Sequence, residues 1–425
     1  MVNAKLIAGV LVFCVSFYFI LFGKQPKSLT AVIGGSLMVL IGVMNQEEAL
    51  HAVGRNLEIL LLLMGLMMVV EIMSETGIFQ WAAVTVAQKA KGDPMKIMIM
   101  LSVVTAICSA FLDNVTTILL IVPVAILLAK RLQIDPFPFI IVQIFACNIG
   151  GTATMIGDPP NLIIASLGKL DFNHFLMNLT PIVIVNMIVL IITAKLLFGK
   201  KFQVSRELRA SIMDLEPKRS IKNKKLLVQS CCLFGLILIG FLTNMVTNIG
   251  LAIISITGCV LLMTISKKNP EEIYKKVEWE TLFFFGGLFV LVEGIDKLGI
   301  IDRIGETLVQ LTQGNLELTS TVVVLLSSVL SPILGSVPYT LSFSKIIASI
   351  IPDFVGSTDV LWWALSLGAC LGGNMTMVGA PANIVGVSIA GKAGVKISFM
   401  DFFKLGLLVV VESVILSVLY INIRY

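Results

Sequence analysis

The sequence predicts an all-α polytopic membrane protein built from two inverted-topology repeats, each with a re-entrant hairpin and a broken transmembrane helix. Three observations carry this. The 425-residue chain is 57% hydrophobic and 13% charged, with a mean hydropathy of +0.98, whereas soluble domains carry about 25% charged residues. The second half repeats the first at a constant offset of 222 residues. In each half, a segment long enough to cross a bilayer is interrupted by glycine, proline and asparagine.

In the first half, apolar segments run over 6–22, 29–44, 57–74, 97–111, 115–129, 137–168 with its break, and 179–198. Leu6 to Phe22 lacks a strong basic start and an Ala-x-Ala-like exit, so it reads as a retained membrane helix and not a signal peptide. A polar linker, 199–225, follows with nine Lys/Arg against three acids and is expected to be cytoplasmic. The pattern restarts at 226–246, 249–265, 280–295, 319–334, 337–351, 360–391 with a break, and 402–422. The first repeat is thus 1–198, with leading helices over 1–90, hairpin and broken helix over 97–168 and a last helix over 179–198. The second is 226–425, with the corresponding parts over 226–312, 319–391 and 402–422.

The offset matches Glu58 to Glu280, Gly65 to Gly287, Glu71 to Glu293, Gly77 to Gly299, Gly150 and Gly151 to Gly372 and Gly373, Thr154 to Thr376, Gly157 to Gly379, Pro159 to Pro381 and Asn161 to Asn383. Agreement concentrated on Gly, Pro, Asn and Glu at one spacing marks an internal repeat. Charge then predicts opposite orientations. Gln88–Lys96, Lys130, Arg131, Lys267, Lys268, Lys275, Lys276, Lys392 and Lys396 fall on the cytoplasmic side, while 296–318 and 352–359, acidic or balanced, fall outside. Arg424 and Lys5 are the exceptions, placed outside.

The stretch Gly150 to Asn161, GGTATMIGDPPN, is the candidate binding site of the first repeat. Its glycines and prolines free backbone amides and carbonyls, which lipid does not tolerate unless they face protein, water or solute. A kinked structural helix is the plainer alternative, and it needs far fewer breaking residues. Upstream, apolar arms of about 15 residues flank Asp113, Asn114, Thr116 and Thr117. They are shorter than the roughly 20 residues of a spanning helix, so a re-entrant hairpin is expected to bring that tip beside the break. A short polar turn at a surface is the alternative. The second hairpin has Gly335 and Ser336 in place of Asp113 and Asn114, and the second break has Ala380 and Ala382 in place of Asp158 and Pro160. It still offers Gly372, Gly373, Asn374, Thr376 and Asn383. The scaffold is symmetric and the charge is not.

These residue types suit secondary transport. A Na⁺ ion takes oxygens from freed carbonyls and from Asn, Ser and Thr, and Asp113, Asn114, Thr152 and Thr154 form the candidate shell. Proton coupling needs a carboxylate that burial holds near its titration point; Asp113 and Asp158 are the candidates. Half-helix N-termini suit anionic or polar neutral solutes. Lys345 lies in an arm whose repeat counterpart is uncharged; it is read either as a surrogate for a bound cation or as a lysine snorkelling to the outer interface. Glu71, Glu293 and Glu412 are expected to cap, pair or face the interface. The seven cysteines lie in apolar segments without metal-site spacing, and Cys147 and Cys370 sit just before the two breaks. Two histidines argue against a His-ligated metal centre. With no nucleophile–base pair and no nucleotide loop, no enzyme, organic cofactor or resident metal is expected, only Na⁺ or H⁺ as a coupling ion. The net charge of +5 reports topology and not nucleic-acid binding.

The DNVTT tip, GGTATMIGDPPN and LGGNMTMVGAPAN resemble the ion transporter superfamily over residues 29–422, and within it the arsenite permease branch, which includes the pink-eyed dilution protein and NhaD-type Na⁺/H⁺ antiporters. The dicarboxylate branch usually shows Ser-Asn-Thr at both sites; its absence here makes citrate or succinate a less expected substrate. The resemblance implies a homodimer in which each protomer has a scaffold and a transport domain that slides or rocks, with solute and ions between the hairpin tips and the breaks. The departure at Gly335 and Ser336 puts a two-cation stoichiometry in doubt. The function expected from it is proton-coupled efflux of arsenite or antimonite by alternating access, with Na⁺/H⁺ antiport or Na⁺-coupled anion transport as the alternative. The expected place is a prokaryotic plasma membrane, with the basic linker as the docking place for a cytoplasmic ATPase partner.

Overall fold

A computed structural model describes residues 2–202 and 204–425, which form helices and no strands. The first half contains α1 (Val2–Phe22), α2 (Lys27–Leu40), α3 (Gln46–Arg55), α4 (Leu57–Glu75), α5 (Ile78–Lys89), α6 (Pro94–Phe111), α7 (Asn114–Arg131), α8 (Phe137–Gly151), α9 (Pro159–Gly168) and α10 (Phe172–Phe198). The linker holds α11 (Arg206–Met213) and α12 (Pro217–Ser220). The second half contains α13 (Lys224–Leu242), α14 (Asn244–Thr247), α15 (Leu251–Ser266), α16 (Pro270–Tyr274), α17 (Trp279–Lys297), α18 (Ile300–Leu311), α19 (Leu316–Leu334), α20 (Ser336–Ile350), α21 (Asp359–Gly372), α22 (Pro381–Lys392) and α23 (Phe399–Arg424). Among the described residues, eight helices are long and apolar enough to cross a membrane.

The element boundaries repeat with the sequence. Helices α4 and α5 coincide with α17 and α18 at both ends when displaced by 222 residues, and α6, α7, α8 and α9 start where α19, α20, α21 and α22 do. Arg55, just before α4, bonds Glu293 near the end of α17 at 2.6 Å. Reciprocally, Lys276, just before α17, bonds Glu71 and Glu75 at the end of α4, each at 2.7 Å. The two equivalent helices therefore run in opposite directions. Those two carboxylates hold the Lys276 ammonium above its ordinary pKa.

Packing gathers the helices into two groups. In one, α2 lies along α17 and α15 along α4, so each half grips the other, with α1 and α13 outside them. In the other, α6 packs on α8 and α19 on α21, while α7 meets α22 and α20 meets α9. Hydrogen bonds also sort the chain ends. Lys222 N reaches Thr76 O, Arg131 reaches Ser211 O, Lys130 reaches Ala393 O and Lys268 pairs with Glu75. The first two tie the linker to the end of α4 and to the basic end of α7. Elsewhere, Lys5 meets Gly42 O, Lys297 meets Glu48, and Asn173 meets Leu242 O.

The structure differs from the sequence reading in three places. The arms of the first hairpin are 18 residues each, not about 15. The apolar run understates them because Asp93 caps α6 and Pro94 and Lys96 fill its first turn. Helices α5 and α18 lie outside the apolar segments of the sequence reading, because each is only 12 residues long and is interrupted by polar residues, Gln80, Gln88 and Lys89 in α5 and Asp302, Arg303 and Glu306 in α18. The linker is folded and docked: Ile212 is fully buried, and Gln88 Nε2 donates to the carbonyls of Met213 and Leu215 at 3.1 and 2.5 Å.

Candidate binding site at the paired helix breaks

Each break is held by a corresponding set of bonds, made by residues 222 apart except for one acceptor that is displaced by a residue, Thr152 O in the first break and Gly373 O in the second. On the hairpin side, Ser109 donates to Cys147 O at 2.7 Å and Ser331 donates to Ala369 O at 2.8 Å. The hydroxyl of Thr154 donates to Ala110 O, and that of Thr376 to Pro332 O. Inside the break, Asn161 Nδ2 donates to Thr152 O at 3.2 Å and Thr154 O at 2.8 Å, while Asn383 Nδ2 donates to Gly373 O and Thr376 O at 2.8 Å each. Carbonyls released from the helical ladder are thus caught by a side-chain amide from the following half-helix, which meets the need to satisfy buried backbone groups. Gly150 and Gly372 permit the close approach of hairpin and broken helix. A Cβ on Gly150 would lie 2.3 Å from Ala106 O, and one on Gly372 2.8 Å from Ser328 backbone.

The two breaks also meet each other. Asn148 Nδ2 on α8 donates to Asn374 Oδ1 and Asn383 Oδ1 at 2.8 Å each. In the mirror position, Ser366 donates to Asn161 Oδ1 at 2.6 Å and Cys370 Sγ approaches it at 3.6 Å. Asn148 and Cys370 occupy equivalent places at the 222-residue offset.

The hairpin tip completes the first half of the site. Asn114 is bonded to Ser109, and its Oδ1 lies 2.5 Å from where a Cβ on Gly151 would be. Asp158, 3% exposed, interacts with Asn114 and Cys370. The tip therefore lies level with the break, inside the protein. Gly157 backs onto the Gly151 carbonyl, and the Thr117 hydroxyl is buried without a partner. Asp113 caps α7, accepting from Thr116 N at 2.8 Å. In the second tip, Gly335 adopts φ +82°, a conformation glycine takes without strain, and leads into the buried Ser336.

The structure therefore joins Asn114, Thr152, Thr154, Asp158, Asn161, Gly373, Asn374, Thr376 and Asn383 in one buried network. Of the proposed Na⁺ shell, Thr152 and Thr154 direct their hydroxyl protons at the carbonyls of Asn148 and Ala110, and Asp113 is turned to the start of α7. Among the described residues, no three His, Cys, Asp or Glu side chains group to hold a metal ion. Lys345 lies against neither break: its Nζ is held by Glu293 and Asp296 of α17, at 2.6 Å each. Glu71 and Glu293 are paired, and Glu412 accepts from Thr193 at 2.8 and 3.0 Å. Ser109, Ser331, Asn148 and Ser366 were missed. Ser109 and Ser331 coincide at the repeat offset and were readable by it. Asn148 and Ser366 match Cys370 and Ile144, so the repeat carries no signal for them. At the edge of α17, burial and the charge of Asp113 push Glu278 up to about 7.

Comparison with known proteins places this arrangement. A family model described as citrate transporter, CitMHS, matches residues 17–368. A 46 kDa membrane protein of Mycobacterium leprae is 38% identical over 424 residues, 99% of each chain. An uncharacterized transporter of Mycobacterium tuberculosis is 36% identical, covering 99% of this chain and 98% of its own. The human P protein is 31% identical over 96% of this chain, which spans 58% of that longer protein. Among solved structures, the YdaH transporter of Alcanivorax borkumensis, described as having an unusual topology, aligns over 99% of both chains with a TM-score of 0.54 at 13% identity, a likeness of fold. With the family model matched over most of its length and relatives this similar from end to end, the chain belongs to the CitMHS family of transporters, within the ion transporter superfamily.

Proposed function

We propose that this membrane transporter exports arsenite or antimonite in exchange for protons, by alternating access. The observation that carries the reading is the composition of the buried network: amides, hydroxyls and thiols around one buried carboxylate, Asp158, with no lysine or arginine among the hydrogen-bond partners described above. Arsenite at neutral pH is the uncharged As(OH)₃, which such donors and acceptors can bind. Cys147 Sγ lies 3.3 Å from Ser109 Oγ, and Cys370 lies beside Asn161, so both thiols border the network. Asp158 is the proton carrier in this reading. Asp113, at the tip, is the second candidate.

In this scheme the hairpins and breaks (α6–α9 and α19–α22) move as a unit against α1, α2, α4, α13, α15 and α17. The protein works as a homodimer in a prokaryotic plasma membrane, with the docked linker cytoplasmic and its exposed residues available to an ATPase. The second reading is Na⁺/H⁺ antiport or Na⁺-coupled anion transport, with citrate favoured as the anion by the description of the matching family model. The deciding experiment is counterflow in proteoliposomes with arsenite, Na⁺ and citrate in turn, each under an imposed pH gradient. Arsenite accumulation that follows the gradient supports the first reading. Arsenite flux indifferent to it sinks proton coupling, and proton release on adding Na⁺ alone selects the antiporter.

A further inference from the structure

The two halves carry matching ion pairs in the scaffold: Glu71 with Lys276, and Glu293 with Arg55. Each joins the end of one half's third apolar helix, α4 or α17, to the basic residue preceding its counterpart, so each Glu already has a cationic partner. Lys345 is an addition to this symmetric frame. It sits on α20, the second arm of the second hairpin, and its counterpart at the repeat offset is Pro123. Its ammonium is held at 2.6 Å by Glu293 Oε2 and at 2.6 Å by Asp296 Oδ2, both on α17. The lysine side chain is 14% exposed and that of Glu293 9%. Charges this far from solvent are held strongly when paired and poorly tolerated when one partner leaves.

Helix α20 belongs with the breaks, packing on α9 and α21, whereas α17 belongs with the gripping helices α2 and α4. The Lys345 pairs therefore cross from one packing group to the other. We propose that Lys345 is a one-sided latch: a positioning residue that fixes the second hairpin against the scaffold in the conformation described here and must release Glu293 and Asp296 each time the hairpin–break unit moves. Because the first hairpin has proline at that position, the equivalent contact is missing from the opposite conformation, and the latch biases the cycle toward one state. The proposal rests on the moving-unit reading above. It assigns Lys345 a role distinct from solute binding.

The test reads distance in the full-length protein. Spin labels are placed at Val246→Cys, in the short scaffold helix α14, and at Val355→Cys, between α20 and α21; these residues are 84% and 98% exposed. The four cysteines that are not buried, Cys14, Cys108, Cys231 and Cys232, are replaced by Ala. The labelled protein is diluted with unlabelled protein in nanodiscs. The native Lys345 protein is expected to show one dominant distance. Lys345→Met and Lys345→Gln are expected to raise a second distance, changing the population ratio by about tenfold or more, and Lys345→Arg to restore the native distribution, which a packing role for the alkyl stem would not require. Two native populations whose weights ignore Lys345→Met overturn the latch and leave the moving unit standing. A single distance that no variant and none of arsenite, Na⁺ or citrate shifts overturns both. Loss of the native distance in Lys345→Arg as well as in Lys345→Met, in monodisperse protein, assigns Lys345 to packing and overturns the latch.

Discussion

At the scale of single residues, the network separates groups that hold the fold from groups available for chemistry. Asn383 gives both its amide protons to the carbonyls of the second break and accepts from Asn148. Asn383→Ala leaves Gly373 O and Thr376 O without their donor, at about 1–3 kcal/mol for each buried group left unsatisfied. A clear fall in melting temperature in detergent is therefore expected. Asp158→Asn is the opposite kind of change: nearly the same shape, able to keep contact with Asn114 and Cys370, and unable to titrate. It is expected to melt like the native protein and retain solute counterflow while losing accumulation driven by a pH gradient at least tenfold, since general proton carriage needs the carboxyl. Undiminished gradient-driven accumulation in Asp158→Asn removes Asp158 from that role. Glu278 supplies a pH signature outside the network. Burial and the nearby Asp113 raise it from an ordinary 4.5 to about 7, so folding favours its protonated form. Its contribution to stability is present below about pH 4.5 and is lost as pH rises through about 7. Melting temperatures from pH 5 to 8 should fall more steeply for the native protein than for Glu278→Gln.

At the scale of elements, glycines at the breaks set how closely a hairpin can lie on its broken helix. Gly150→Ala drives a Cβ into Ala106 O, so α6 must lift from α8, an overpacking of typically 1–3 kcal/mol. Gly235→Ala on α13 meets nothing within 4 Å and raises local helix propensity, so it should melt at or above the native temperature. Equal melting of the two variants would contradict the packing described for the hairpin. These breaks were legible in the sequence because Gly, Pro and Asn in a bilayer-length apolar segment leave backbone groups that must find partners, and because Gly150 and Asn161 recur as Gly372 and Asn383. The short α5 and α18 were illegible to a hydropathy reading, because twelve residues interrupted by Gln80 and Gln88, or by Asp302, Arg303 and Glu306, form no apolar run of spanning length. The partners of Lys345 were beyond any local reading. Glu293 and Asp296 lie about fifty residues away on another packing group, and only the folded arrangement of α17 and α20 brings them to it.

At the scale of the whole molecule, the halves are not two beads joined by a tether. Helix α2 of the first lies along α17 of the second, and α15 of the second along α4 of the first. The paired ions at both ends of α4 and α17 close the interlock. A large apolar surface is therefore shared between halves, and its burial does not depend on the linker peptide being continuous. The linker contributes separately, through Ile212 in the core and the bonds of Gln88, Arg131 and Lys222, most of which lie within or beside short segments that survive a cut. A chain divided between Asp214 and Leu215, both outside helices α11 and α12, and co-expressed as 1–214 and 215–425, is expected to co-purify as one complex and to retain counterflow at the native rate within about a factor of ten, the scale set by losing 1–1.5 kcal/mol of linker bonding. Halves that reach the membrane yet purify apart would show that the covalent linker, and not the exchange of helices between repeats, holds the two together.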